Sequence, residues 1–196
     1  MPATLDSVTH PTKIDVERAL DCLMPLVFYF GTLEALPPLK FIVGSTMPEP
    51  YRYLLVHSSD MTPRLHTFHK DTIGLRVHHK EESEDYIMRM VVLDREHDGR
   101  PVEFGAIGIR LETFSPWVKR EIRECLSPLG AILERERVPH SSHPRAFFQI
   151  NADALIARLL DCEIGTVLYG RCNELRDADA VVFADIVEIL PPDKKG

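Results

Sequence analysis

The sequence lacks the short motifs that mark the common enzyme chemistries and cofactor sites. It contains no G-x-S-x-G nucleophile turn, no phosphate-binding P-loop and no G-x-G-x-x-G dinucleotide motif. Its four cysteines are widely spaced and form no C-x-x-C pair, which argues against a zinc site or a thioredoxin-like centre. The adjacent His78 and His79 would face opposite sides of a strand, so they make a poor shared metal site. We therefore expect no metal and no cofactor.

The chain also lacks an excess of positive charge and any long apolar run. Its formal net charge of −7 at pH 7 argues against a dedicated nucleic-acid surface and against binding to an anionic membrane. The longest apolar run, residues 23–30, is too short to span a bilayer and contains Pro25. The N-terminal segment has no apolar stretch after a basic start, so we expect no signal peptide, a cytoplasmic location and reduced cysteines.

The length and composition predict one packed domain. The chain has 196 residues, of which 44% are hydrophobic and 27% charged, and this balance is typical of a globular core. We expect a single domain over residues 1–196. Residues 1–13 contain two prolines and no hydrophobic periodicity, which predicts a flexible lead-in.

The strongest local signal is a hairpin over residues 86–111. Two apolar runs meet at Asp98-Gly99, a pair that favours a tight hairpin turn because both residues tolerate positive φ. The first run is apolar at nearly every position, which predicts a strand buried on both faces, yet Arg89 lies in its middle. Burying an isolated charge costs several kcal/mol or more, so Arg89 requires an anionic partner. A protein carboxylate and a ligand are equally good candidates.

Three helix starts are predicted from capping residues followed by proline. A helix should begin near Met61, with Ser59 or Asp60 as its cap, and a second at Pro116, after Ser115. Ser127-Pro128 predicts a third helix over residues 129–137. The free backbone N–H groups of Met61 and Leu129 could bind an anion, although ordinary capping is the commoner role of a helix start.

The C-terminal part of the sequence predicts a second hairpin, over residues 167–175 and 180–190. Asp185 and Glu188 interrupt its last apolar strand and would point to opposite faces. The carboxyl group that faces the interior needs a partner, such as Arg89 or Arg171, or a raised pKa. Several antiparallel strands with interspersed helices predict an α+β domain.

Four segments, in order, resemble the chorismate lyase family and its relatives, which include small-molecule-sensing domains of bacterial transcription regulators. The matching segments cover about residues 54–191 and are Leu54-Leu55 with Asp60-Met61-Thr62; residues 86–93 with Asp98-Gly99-Arg100-Pro101; Pro128-Leu129-Gly130; and Leu168-Tyr169-Gly170-Arg171 with the strand before Pro191.

The resemblance implies a single antiparallel β-sheet flanked by helices and enclosing a small ligand cavity. It implies a lyase that converts chorismate to 4-hydroxybenzoate and pyruvate by a cofactor-free elimination. Arg89 would bind the ring carboxylate, assisted by the backbone N–H groups of Met61 and Leu129. Asp185 would replace the catalytic glutamate of the family with a side chain one methylene shorter. Arg171 would bind the second carboxylate.

Two alternatives share this fold. The chain could be a non-catalytic domain that binds a small carboxylate, or a related lyase acting on a different carboxylated ring. In each case the expected partner is a small molecule, which for the first reading is chorismate and its aromatic carboxylate product. We expect a monomer or a small homo-oligomer that binds no nucleic acid and does not insert into a membrane.

Overall fold

The structure, a computed structural model, describes residues 21–193. Its elements follow the chain in this order: α1 (Met24–Phe30), β1 (Leu39–Ile42), a 3-10 turn (Gly44–Thr46), α2 (Tyr51–Leu55), α3 (Met61–His69), β2 (Ile73–Glu82), β3 (Tyr86–Arg95), β4 (Pro101–Arg110), α4 (Pro116–Glu124), α5 (Leu129–Arg135), β5 (Ser141–Asn151), α6 (Ala154–Leu159), β6 (Val167–Arg176) and β7 (Val182–Leu190). The predicted lead-in over residues 1–13 lies outside the described residues.

The seven strands of the described residues form one antiparallel sheet in the order β1-β5-β6-β7-β4-β3-β2. The central pairing, between β4 and β7, joins strands that are far apart in the sequence. The prediction of an α+β fold with a single antiparallel sheet flanked by helices is confirmed. Within residues 21–193, none of the helices has the length and apolar character needed to cross a bilayer.

The hairpin of β3 and β4 forms at the predicted turn. Gly99 has a φ of 67°, and the Asp98 carboxylate accepts a hydrogen bond from the Arg100 amide at 3.1 Å. These contacts are those of a residue that closes a turn with its own side chain. Most of β3 is buried, including Arg89 at 1% exposure, so the predicted burial on both faces is confirmed.

The predicted helix starts at Met61, Pro116 and Leu129 are confirmed, while one strand begins earlier than predicted. The sequence suggested a loop over residues 139–144, but β5 begins at Ser141 and contains Pro144. The register of β5 against β6 shifts between Pro144 and Ala146. A bulge of this kind accommodates a proline, which cannot donate to the ladder.

Helices cover both faces of the sheet. On one face α1 and α6 pack over the even-numbered residues of β3 and β4, such as Met90, Val92 and Phe104. On the other face two separate apolar clusters form, one beneath α2 and α3 and one beneath α4 and α5. The second face therefore has a gap between its two helical covers, and this gap contains the site described next.

Candidate functional site

A cavity of about 60 Å³ lies on the second sheet face, between α3 and α5. Roughly one water molecule fits per 10–15 Å³ of such space, so the cavity has room for a small ligand about the size of four to six water molecules. Its floor is formed by residues of five neighbouring strands: Leu75, Arg89, Val91, Leu93, Glu103, Gly105, Ile107, Asn173, Leu175, Ile186 and Glu188.

Two helix starts form the wall of the cavity. Met61 and Thr62 begin α3, and Leu129 and Gly130 begin α5; all four line the cavity. A Cβ atom on Gly130 would lie 3.2 Å from the Thr62 hydroxyl oxygen, so glycine allows the helix starts to touch. Neither start has a side-chain cap, and the first backbone N–H groups of a helix have no partner within it. The structure thus brings Arg89, Met61 and Leu129 to one cavity.

Asp60 leaves the start of α3 uncapped because its carboxylate is engaged elsewhere. It forms an ion pair with His140, with 2.8 Å between Nε2 and Oδ2. The hydrogen bond that His140 donates to the Asp60 carboxylate raises the pKa of His140. A carboxylate at this position would normally accept from the first helical turn. Its pairing with His140 keeps the N–H groups of that turn available to the cavity.

Arg89 enters the cavity with incomplete hydrogen bonding. Its Nη1 donates to the Ile122 carbonyl at 3.5 Å and to the Cys125 sulfur at 3.3 Å, both at the end of α4. Its Nε–H has no partner among the described residues, and no carboxylate of residues 21–193 lies within 4.0 Å of the guanidinium. A buried guanidinium with vacant N–H groups is a receptor for a carboxylate or a phosphate.

Glu103 is the second residue of the cavity lining that has a buried polar atom without a hydrogen-bond partner. It is 4% exposed, and its Oε2 has no hydrogen-bond partner in the part of the chain that the structure describes. Burial raises the pKa of Glu103 well above its ordinary value, the nearby Glu188 carboxylate raises it further, and Arg171 opposes both. These surroundings therefore favour the protonated form of the Glu103 carboxyl group.

The raised pKa of Glu103 makes stability depend on pH. The folded chain binds a proton that the unfolded chain loses near its ordinary pKa of 4.5. The stability contributed by this proton is full below that pKa and is lost as the pH rises toward the folded pKa, at about 1.4 kcal/mol per pH unit. We expect Glu103→Gln to remove this loss. The free energy of unfolding of Glu103→Gln should therefore increase relative to that of the wild type as the pH rises.

Urea unfolding at several values between about pH 5 and pH 8 measures this difference. Glu81→Gln is a matched control, because Glu81 is exposed on β2. A difference between Glu103→Gln and wild type that stays constant across this range would show that Glu103 ionises normally and contradict the prediction.

Arg171 lies next to the cavity but is fully engaged within the protein. It forms an ion pair through Nε with Glu188, which faces it across β6 and β7. Its Nη1 donates to the carbonyls of Leu55 at 3.2 Å and His57 at 3.1 Å, and Nη2 donates to that of Ser59 at 3.4 Å. Arg171 therefore holds the segment before α3 in place, and the structure leaves it little capacity to bind a ligand.

Asp185, the predicted counterpart of the family glutamate, is not brought to the cavity. Ile186 and Glu188 of β7 line it, so strand alternation places Asp185 on the opposite sheet face. There burial raises its pKa, while Arg110 and Arg145 lower it. The last strand instead contributes Glu188. The sequence analysis singled out Asp185 and Glu188 but assigned the role to Asp185. It did not single out Glu103, although a lone acid within the apolar run of β4 was a signal for it.

A larger cavity, of about 180 Å³, lies at the other end of α3 and includes Arg95 and Arg100. Arg95 is paired with Asp98 at 2.6 Å and with Asp71 at 3.6 Å. Arg100 has 54% of its side chain exposed. These cations are paired with carboxylates or exposed to solvent. This cavity therefore has no counterpart to the unpartnered Nε–H of Arg89. Among residues 21–193 there is also no cluster of side chains that could hold a metal ion.

The sheet order and the cavity on its helix-covered face define a domain of the chorismate lyase-like fold. Among solved structures, the chain is similar to PhnF from Mycobacterium smegmatis, with a TM-score of 0.53 and 15% identity over 72% of this chain and 67% of that one. It is similar to the effector domain of the same PhnF, with a TM-score of 0.53 and 16% identity over 69% of this chain and 90% of that one. No protein-family model and no curated protein sequence matches the chain.

A further similarity is to the ligand-binding domain of a protein assigned to the GntR family of transcriptional regulators, from Bordetella bronchiseptica. Its TM-score is 0.46, with 12% identity over 62% of this chain and 85% of that one.

The prediction of an enzyme, a chorismate pyruvate-lyase, is wrong. The solved structures that share this fold include the effector domain of PhnF, of which the chain covers 90%. The site agrees with this correction, since the acid predicted to assist the elimination, Asp185, lies on the other face of the sheet. The fold and the cavity remain, but chorismate and the lyase products are not supported.

Proposed function

We propose that this chain is a binding domain for a small molecule that carries an anionic group, either a carboxylate or a phosphate. The observation that carries the proposal is the state of Arg89: 1% exposed, with a vacant Nε–H and no carboxylate of the described residues within 4.0 Å. An uncompensated buried charge costs several kcal/mol, and a ligand anion would remove that cost.

The surroundings of Arg89 support an anion at this position. The starts of α3 and α5 line the same cavity and lack side-chain caps, so their N–H groups add to the positive field there. Apolar residues such as Val91, Ile107 and Ile186 exclude water and strengthen that field. The likeness to an effector domain supports binding, rather than turnover, as the role of the cavity.

Titration with acetate and with inorganic phosphate, followed by amide and guanidinium NMR signals, tests the proposal. We expect saturable shifts at Met61, Thr62, Leu129 and Gly130 together with the Nε–H signal of Arg89, because these groups surround the anion. Shifts confined to Arg95 and Arg100 would place the anion in the other cavity. The absence of saturable shifts with either anion would overturn the proposal.

A further inference from the structure

The charges that line the cavity leave two groups unmatched, one of each sign. Among the lining residues, Asp60 is paired with His140, and Glu188 is paired with Arg171. Arg89 and Glu103 remain, each almost fully buried and each with a polar atom that has no partner among the described residues. The cavity is therefore positive at one end and acidic at the other.

The register of the sheet sets the distance between these two ends. Arg89 lies opposite Ile107, and Glu103 lies opposite Leu93, so four residues of strand separate them. This spacing corresponds to about 13 Å between the two backbone positions, measured along the strand direction. Both side chains line the same cavity, so a ligand bound there can contact both of them.

Gly105 lies in the floor of the cavity, between its two ends. It lies opposite Val91, and a Cβ atom on it would lie 3.5 Å from Oε1 of Glu103. The Glu103 carboxyl group thus extends over Gly105, in the direction of Arg89. A Cβ atom on Gly105 would also lie 3.1 Å from Cγ2 of Val91, so glycine allows Val91 and the Glu103 carboxyl group to pack closely against the floor.

The acidic end has one carboxyl group more than it has cations. Gly105 pairs with Glu188 across β4 and β7, so Glu103 is a near neighbour of Glu188 on the same face. Arg171 provides one positive charge for these two carboxyl groups. Burial and the neighbouring Glu188 carboxylate raise the pKa of Glu103, which shows that a second negative charge at this end is unfavourable. A ligand cation would neutralise that charge.

We infer that the ligand is a short zwitterion, with its anionic group at Arg89 and a protonated amine at Glu103. This inference rests on the proposed function, because it assigns the second end of the same cavity. A hydroxyl group would hydrogen-bond to Glu103 without supplying charge. An ammonium group would supply both a hydrogen bond and a positive charge, and hydrogen bonds between charged groups are stronger than those between neutral groups.

Matched sets of acids test the inference. One set is 4-aminobutyrate, 4-hydroxybutyrate and pentanoate, which differ only in the terminal amine, hydroxyl or methyl group; a shorter set is 3-aminopropanoate, 3-hydroxypropanoate and butanoate. We expect the wild-type chain to bind the amine of at least one set about tenfold more tightly than its hydroxyl analogue. Glu103→Gln should bind the three acids of that set almost equally, with unfolding curves that show the variant to be folded.

Calorimetry in buffers of different ionisation enthalpy adds a second readout. An ammonium group beside Glu103 favours the ionised carboxylate, so binding of the amine should release more protons than binding of the hydroxyl analogue in a pH series between about 5 and 8. The other ionisable groups of this region are Glu188 and Arg171 beside Glu103, and Arg89 and Asp60 elsewhere in the lining. Proton release that persists in Glu103→Gln would have to come from one of them and would overturn the assignment.

The outcomes separate this inference from the proposed function. If the acids of both sets bind with no preference for an amine, the inference fails and the anion site stands. If acetate or phosphate binds at Arg89 but no acid of either set does, the inference also fails, because a short linker between the two groups is then excluded. If none of these anions binds, the proposed function fails together with the inference.

Discussion

Arg89→Met is expected to abolish anion binding and to make the folded chain more stable. The substitution removes a buried charge that has weak partners, while methionine occupies a similar volume and suits the apolar strand. We expect the free energy of unfolding to rise by about 1–3 kcal/mol. Affinity for acetate or phosphate should fall by about a hundredfold or more, because charge-assisted hydrogen bonds to the guanidinium are lost.

Urea unfolding and NMR titration of the same samples measure the two effects. Arg76→Met is a matched control, since Arg76 lies on the neighbouring β2 with half of its side chain exposed and is paired with Asp94 at 2.9 Å. That control should leave anion binding unchanged. A large loss of stability in Arg89→Met would mean that Arg89 is a structural residue, and it would contradict the binding role.

Arg171→Met is expected to have the opposite effect on stability. Arg171 is fully buried, compensates Glu188 and donates to three backbone carbonyls of residues 55–59. Its removal leaves a buried carboxylate and several acceptors without partners, so we expect the free energy of unfolding to fall by about 3–5 kcal/mol. The segment before α3 should also become more mobile, which hydrogen exchange of its amides would detect.

A double variant provides the control for this prediction. Arg171→Met combined with Glu188→Leu removes both charges, so it should recover a large part of the lost stability. The carbonyls of residues 55–59 remain unsatisfied in the double variant, and recovery should therefore be incomplete. A loss of less than about 1 kcal/mol in the single variant would contradict the structural role of Arg171.

The parts of the fold that follow from local chemistry could be predicted from the sequence. The Asp98-Gly99 turn and the start of α4 after Ser115 depend on residues within four positions of each other, and both form as expected. The need of Arg89 for an anionic partner also follows from its apolar neighbours alone. Local signals of this kind do not require knowledge of the sheet order.

The parts that depend on which sheet face is covered could not be predicted. The choice between Asp185 and Glu188 is a choice of face, and a shift of one residue reverses it. Glu103 gains its importance from Glu188 and Arg171, which lie more than eighty and about seventy positions further along the chain. Strand β5 was misjudged because Pro144 reads as a loop residue unless the bulge beside it is known.

The sheet order has a consequence for how the chain folds. Strands β2, β3 and β4 form one local meander, and β5, β6 and β7 form another, so most pairings join neighbours in sequence. The β4–β7 pairing alone joins the two meanders, and closing so long a loop is the slow kind of step in folding. Arg89 and Glu103 belong to the first meander and Glu188 and Asn173 to the second. The cavity therefore requires the β4–β7 pairing, and a ligand that binds in it would stabilise the state in which the two meanders are joined.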